Sequence, residues 1–488
     1  MGEDNHDVYV SPFVGRYTSK EMQRMFSDNF KFKTWRDLWV ILAETEMELG
    51  VEGITPAMVN ELRKATKEPI DYQYAKKEEA NIRHDVMAHI HEFARHCPTA
   101  GGVIHAGATS MYVCDNTDLI IIRDALRIVH KGLVNVVNNM AQISDETKGL
   151  ACLAYTHLQP AQPTTMGKRF TLYIQDLLSD LDEIEGIKFK SLGSKGTTGT
   201  QESFLKLFKG DYGKVKELDR RVTRKMGFDD TWSVTGQTYP RKFDMQVLEK
   251  LAGIGQSLYK FAFDLRILSH NRCVDEPFEV AQIGSSAMAY KRNPMRSERL
   301  DSLARYLMGL PAMAAETASV QLFERTLDDS AIRRVYIPEG FLATDAILIL
   351  ANNITDRNVD TSKGKRPLTY YPKVLAKLLA EELPFMATEE ILMDAVRAGY
   401  DRQEMHELVR QHSVADVINM KENGEPSRLF DRLENDPLFP ISIDSYKDAR
   451  RFTGAAERQT EEYLAEVVRP RLAKYPGLIG RAESTLTV

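Results

Sequence analysis

Apolar positions recur along this chain at alternating intervals of three and four residues, over runs long enough to name the fold class. The clearest run is Leu119, Ile122, Leu126, Val129, Leu133, Val136, Met140 and Ile143, which puts every one of these side chains on one face of a helix. Such alternation is the a/d pattern of helices packed nearly parallel, so a long bundle helix is predicted here. Asp115, Asn116 and Asp118 stand at its start and are read as capping and dipole-complementing groups. Phe170, Ile174, Leu177, Leu181 and Ile184 repeat the pattern, as do Leu248, Leu251, Leu258, Ala262 and Leu265, and residues 300–317 and 339–352 add two further apolar helical runs. Strand signals are nearly missing. The predicted fold class is all-α, around a central bundle of long helices whose apolar stripes commonly pack against copies of themselves. A homo-oligomer is expected.

The flanking segments carry different patterns. Residues 1–110 read as a helical N-terminal domain: Thr18 or Ser19 precedes Glu21 and Met22 as a helix start, so Arg16 and Tyr17 sit just ahead of a helix. Trp35, Leu38, Trp39, Leu42, Glu46 and Leu49 follow at helical spacing and Gly50 stops them. Four histidines, His84, His89, His91 and His96, fall in one helical stretch where His84 and His91 could share a face. Without an accompanying carboxylate set or HExxH arrangement, no metal site is expected. Residues 111–364 form the central bundle domain, and the basic, proline-bearing SKGKRPLTYYP marks a boundary near residue 365. Shorter, more charged helices fill a C-terminal domain over residues 365–488.

Polar stretches interrupt the helical pattern. GSKGTTGTQ at 193–201 is rich in glycine but lacks P-loop spacing and is read as a mobile loop. HAGATS precedes the first long helix, YTHLQPAQPTT the second, and QIGSSAMAYKRNPMRSE at 282–298 is too polar for core. In the last, Gly284 beside Ser285 and Ser286 permits unusual backbone angles, and Pro294 opposes a continuous helix.

Composition narrows the classes. With 43% hydrophobic and 27% charged residues the chain is an ordinary globular protein, and a net charge of -6 gives no global electrostatic case for nucleic acid or an anionic membrane. The four scattered cysteines fit a reducing compartment. The acidic N-terminus lacks a secretory profile and no apolar run approaches the ~18 residues of a membrane span, so a cytoplasmic protein without membrane contact is expected.

Together the three polar stretches resemble the signature regions of the fumarase/aspartase superfamily, over nearly the whole chain. The third departs from the pattern GSSxMPxKxNP at Ala289, where proline is usual. SPFVGRY, RHDVMAH at 83–89 and FERTLDDSAIRR at 323–334 resemble the adenylosuccinate lyase branch. The resemblance implies a three-domain protomer whose long helices join those of other chains in a multi-chain helical core, a homotetramer with shared sites. It implies elimination of fumarate from adenylosuccinate, giving AMP, and from the succinyl-carboxamide ribotide SAICAR, giving AICAR, with no cofactor. Breaking the C–N bond needs a base for a weakly acidic proton beside a carboxylate and an acid for the departing nitrogen. The resemblance puts the base at Ser285 and the acid at His157, with Glu298 paired to His157 to orient it and raise its basicity. A serine alkoxide needs stabilising, by backbone N–H groups near Gly284 and by Lys291.

By the same resemblance Lys291 and Asn293 hold the charge that builds on the substrate carboxylate, and Thr109, Ser110, Thr156 and Gln237 contact the carboxylates. Arg16, Arg325 and Arg334 with Ser330 bind phosphate, since guanidinium matches it in forked hydrogen bonds. Tyr17 joins the substrate site, and His84 and Asp85 lie near the base or the succinyl group. Singly, each has a plainer reading: His157 as a loop histidine, Ser285 as a turn serine, Glu298 as a solvated helix-start acid, the arginines as surface ion-pair formers. Their joint occurrence in family order favours catalysis. The competing readings are another fumarate-releasing lyase of the argininosuccinate type, against which RTLDDSAIRR speaks, and a non-catalytic protein on this scaffold, which Ala289 keeps open.

Overall fold

A computed structural model describes residues 7–279, 281–358 and 366–486. The helices that position the polar stretches are α1 (Asp28–Glu48), α2 (Asp85–Ala94), α3 (Ser110–Glu146), α4 (Met166–Glu185), α5 (Lys242–His270), α6 (Met295–Ser319) and α7 (Asp328–Thr355). Among the described residues, strands are two-residue pairs only. The five long helices close into a bundle: α3 packs on α4 and α7, α4 on α5, α5 on α6, and α6 on α7. The a/d residues Leu119, Ile122, Val129, Leu133, Val136, Met140 and Ile143 are all buried, each worth roughly 1.5–3 kcal/mol on removal from water. α3 and α7 meet closely at Gly132, whose carbonyl accepts a hydrogen bond from Asn352 Nδ2 at 3.1 Å.

α7 exceeds what the sequence reading allowed. Its 18-residue window has a mean hydropathy of 1.3, enough by length and composition to cross a membrane, yet 83% of that window is buried inside the protein. It is a bundle core helix.

Trp35, Trp39 and Phe93 from the N-terminal segment share one continuous core with the bundle. A smaller separate core gathers Ala387, Ile391, Val409, Leu429, Leu433, Ile443 and Tyr446, whereas Leu464, Val468 and Leu472 return to the main one. The expected boundary near residue 365 falls against residues 359–365, outside the described residues.

Three local expectations need correction. Asp115, Asn116 and Asp118 do not cap α3, because its N-cap is Thr109 and they lie beyond the first turn. They cross-link instead: Asp115 to Arg241 and Tyr239, Asn116 to Gly193, and Asp118 to Arg333. The 193–201 segment, read as a mobile loop, is anchored at its start by buried partners. Gly193 N donates to Asn116 Oδ1 at 3.1 Å, Ser194 N donates to Asp219 Oδ1 at 2.7 Å, and buried Lys195 pairs with Asp219. Gly199, at φ 81°, abuts the Thr235 carbonyl so closely that any Cβ would collide, so glycine here serves close packing. Finally, His84 does not lie inside a helix. Arg83, at φ 56°, ends the preceding helix, and His84 becomes the N-cap of α2.

Candidate active site

One group of predicted site residues surrounds a cavity of about 300 Å³ between α1, α3 and α7. Arg325, Ser330 and Arg334 line it together with Met111, Asp115 and Arg241. Arg325 Nη1 donates to Asp329 Oδ1 at 2.6 Å. Arg334 pairs across the mouth with Asp85, Nη2 to Oδ2 at 3.4 Å. His84 Nδ1 accepts from the Met87 backbone N–H at 3.3 Å, which puts the neutral ring's proton on Nε2, 3.5 Å from Ser110 Oγ. Thr109 caps α3 with its backbone and leaves its hydroxyl out of the cap. Behind them, burial and then the neighbouring His84 lower the pKa of His105 to about 4, and its Nδ1 accepts from Trp39 Nε1 at 2.9 Å. Gln237 is held by Glu324 O, which accepts its N–H at 2.9 Å, and by Thr197 O, which accepts from Nε2 at 3.0 Å. It therefore sits next to the chain segment that carries Arg325.

A second group lies at the start of α6. Asn293 Nδ2 donates to Gly284 O at 2.9 Å, lacing the two ends of the signature loop. A Cβ at Gly284 would collide with the Lys291 carbonyl, so only glycine closes this loop. Ser285 Oγ accepts from the Met288 N–H at 3.0 Å and the Ala287 N–H at 3.3 Å. Two convergent N–H dipoles favour negative charge on that oxygen. Lys291 and Glu298 are exposed, and neither side chain makes a hydrogen bond or ion pair among the described residues. Ile283 and Tyr290 on the same loop are 81% and 84% exposed, an unusual amount of apolar surface to leave in water. Arg16 and Tyr17, on the turn Phe13–Tyr17, border a separate cavity of about 210 Å³ with Arg299 of α6, whose guanidinium lies 5.3 Å from the Tyr17 ring centre.

The third group is a hairpin. Tyr155–Thr156 pairs antiparallel with Gln159–Pro160, leaving His157 and Leu158 as a two-residue turn with φ of 54° and 59°. Positive φ at both positions is the turn that suits the strands' twist, and for residues other than glycine it costs about 1–3 kcal/mol each. The flanking strand pairs hold His157 at an exposed tip despite that cost, beside an equally exposed Thr156.

Within one chain, then, His84, Asp85, Ser110, Arg325, Ser330 and Arg334 come together, with Gln237 alongside. Ser285, Lys291, Asn293 and Glu298 share a second region, with Arg16 and Tyr17 near the same helix. No hydrogen bond or ion pair among the described residues joins His157 to Ser285 or Glu298. The sequence reading missed Glu276, whose carboxylate accepts from the N–H groups of Arg296 at 3.0 Å and Ser297 at 2.7 Å and from the Ser297 hydroxyl. Burial raises its pKa against the pull of those donors. The available signal was Pro294: as the N-cap of α6 it has no side-chain acceptor, so the helix must find one elsewhere. The other histidines of the 84–96 stretch have partners of their own. His89 stacks on Phe32 at 3.7 Å between ring centres, with its pKa lowered by burial to about 4, and His91 Nδ1 lies 2.7 Å from Glu78 Oε1.

Comparison with known proteins supplies what the geometry does not name. A lyase family model matches residues 15–309, and a model of the adenylosuccinate lyase C-terminus matches residues 384–463. The chain is 47% identical to the adenylosuccinate lyase of Saccharomyces cerevisiae, covering 99% of this chain and 100% of that one. It is 46% identical to that of Schistosoma mansoni, covering 97% of each. Solved structures share the fold at low identity. A fumarate lyase from Mesorhizobium sp. BNC1 superposes with a TM-score of 0.75 at 20% identity, covering 94% of this chain and all of that one. The 3-carboxy-cis,cis-muconate lactonizing enzyme of Pseudomonas putida gives 0.78 at 18%, covering 94% and 99%.

Proposed function

Because the chain belongs to the adenylosuccinate lyase family, we propose that it splits adenylosuccinate to AMP and fumarate, and SAICAR to AICAR and fumarate, by elimination without hydrolysis. The observation that carries this reading is the 47% identity with the yeast enzyme over 99% of this chain and 100% of that one.

Residue roles follow from the chemistry. Ser285 removes the proton from the carbon beside a substrate carboxylate, and the electron pair moves onto that carboxylate, where Lys291 and Asn293 hold it. The C–N bond then breaks, the pair forms the fumarate double bond, and His157 delivers a proton to the departing nitrogen. The two N–H groups at Ser285 Oγ support the base role, since they stabilise an alkoxide before the substrate arrives. Glu298 orients His157 and favours its imidazolium form. Arg325, Ser330 and Arg334 with Arg16 bind the phosphate, Tyr17, His84 and Asp85 line the nucleotide end, and Thr109, Ser110, Thr156 and Gln237 contact carboxylates.

Among the described residues no hydrogen bond or ion pair joins His157 to Ser285 or Glu298 within one chain, and the exposed Ile283, Tyr290 and Leu158 need cover. A homotetramer in which several chains complete each site accounts for both, with Leu172, Phe263, Tyr306 and Met308 on the long helices as further exposed apolar surface for the contact. A cytoplasmic setting suits the four free thiols. The test is to incubate purified protein with adenylosuccinate and quantify both products. Equimolar AMP and fumarate are expected, and an intact oligomer that releases no fumarate contradicts the reading.

A further inference from the structure

In the wall of the Arg325 cavity, three buried charged side chains run in series from α3 to α7. Asp115 receives the Arg241 guanidinium in a forked pair, Nη1 to Oδ2 at 3.1 Å and Nη2 to Oδ1 at 3.0 Å. The remaining edge of Arg241, Nε, donates to Asp329 Oδ2 at 2.6 Å, and the other oxygen of Asp329 accepts Arg325 Nη1 at 2.6 Å. The side chains of Asp115, Arg241 and Asp329 are each 1% exposed, whereas that of Arg325 is 18% exposed and faces the cavity. Asp115 Oδ2 also accepts the Tyr239 N–H at 2.9 Å, two residues from Gln237. One carboxylate on the first turns of α3 is thus bonded to the segment of Gln237 and, through Arg241 and Asp329, to Arg325.

Burying this many charges is costly, and hydrophobic replacements of similar volume would often serve stability as well. A guanidinium side chain is long, and fixing it removes up to ~2 kcal/mol of rotamer freedom before any ligand arrives. Asp329 engages only Nη1, which also donates to the Thr326 carbonyl, and the Nε and Nη2 edge makes no hydrogen bond among the described residues. That edge is the forked face a phosphomonoester takes.

We propose that Asp329, clamped from behind by Arg241 and Asp115, is a positioning residue that presents the Arg325 guanidinium to the phosphate of the nucleotide. It rests on the functional reading above, and it adds that phosphate affinity depends on Asp329, whose two oxygens are already taken by Arg241 and Arg325.

The experiment is Asp329→Asn in the full-length protein, read by steady-state kinetics and product inhibition. KM for adenylosuccinate and the inhibition constant of AMP are each expected to rise about tenfold, with kcat within about twofold and inhibition by fumarate, which carries no phosphate, unchanged. In an Arg325→Met background the substitution should add nothing to the AMP effect. A merely structural role predicts that AMP and fumarate weaken together, and this result overturns the proposal. So does an unaltered AMP constant, or a full further loss in the Arg325→Met background. Should Asp329→Asn fail to give folded protein, Asp329→Glu keeps the buried charge and displaces the carboxylate, and its AMP-to-fumarate ratio decides in the same way. Wild-type protein that neither turns over adenylosuccinate nor binds AMP would overturn the functional reading instead.

Discussion

Glu276→Gln isolates how the signature loop is seated on α6. In the native protein the two carboxylate oxygens take the Arg296 N–H at 3.0 Å, the Ser297 N–H at 2.7 Å and the Ser297 hydroxyl. Glutamine keeps one acceptor and turns an NH₂ toward the other backbone N–H, so one buried donor loses its partner. Hydrogen bonds to a charged acceptor are worth about 1.5–3 kcal/mol net. Glu298 stands in the first turn of α6, and Lys291 and Asn293 stand just before it, so the loss falls on the loop rather than on the bundle. At one factor of ten in rate per ~1.4 kcal/mol, kcat should drop about 10- to 150-fold. Because the break is local, the melting temperature should stay within about 2 °C of wild type. Initial rates with adenylosuccinate, paired with thermal melts, measure both. Unchanged kcat would refute the reasoning, as would a loss of activity that merely follows a large fall in melting temperature.

Other expectations follow from the same structure. Ala289→Pro restores the residue usual in the family pattern and fixes φ in the loop between Ser285 and Lys291, so it should change turnover more than melting temperature. Paired kinetics and melts showing the reverse would contradict this. Asp345 is buried under Ser19, whose N–H it accepts at 2.7 Å, and burial raises its pKa from 3.8 to about 6. A raised folded-state pKa means the contribution to stability is intact below pH 3.8, is lost as pH climbs through 6, and stays lost above. Two units correspond to about 3 kcal/mol as an upper bound, so Asp345→Asn should stabilise the protein at pH 7.5 and give no gain near pH 4. Unfolding transitions at the two pH values check it, and a variant less stable at both would be evidence against.

The long helices were legible because a one-faced apolar pattern sustained for seven intervals has no other packed solution. What escaped was anything decided by a partner distant in sequence. Asp115 looks like a helix-start acid until Arg241, 126 residues away, is seen to occupy it. Glycines at 193 and 199 signal freedom in a sequence but serve closeness here, where Asp219 and the Thr235 carbonyl leave no room for a side chain. His84 looked like a helix-face residue because Arg83 carries no sequence mark of its left-handed backbone. Ser285 and His157 could be singled out by motif, yet no sequence rule predicts the positive φ of both His157 and Leu158, since neither is glycine or asparagine.

Ser285 and His157 belong to one proposed reaction, yet no hydrogen bond among the described residues joins them within one chain. Ser285→Ala and His157→Ala should each be inactive while still binding substrate. Mixed in equal amounts under conditions that exchange subunits, they should recover about a quarter of wild-type activity, since random pairing of two chains per site leaves one site in four with both native groups. No recovery after verified exchange, or near-normal turnover by either variant alone, would contradict the account.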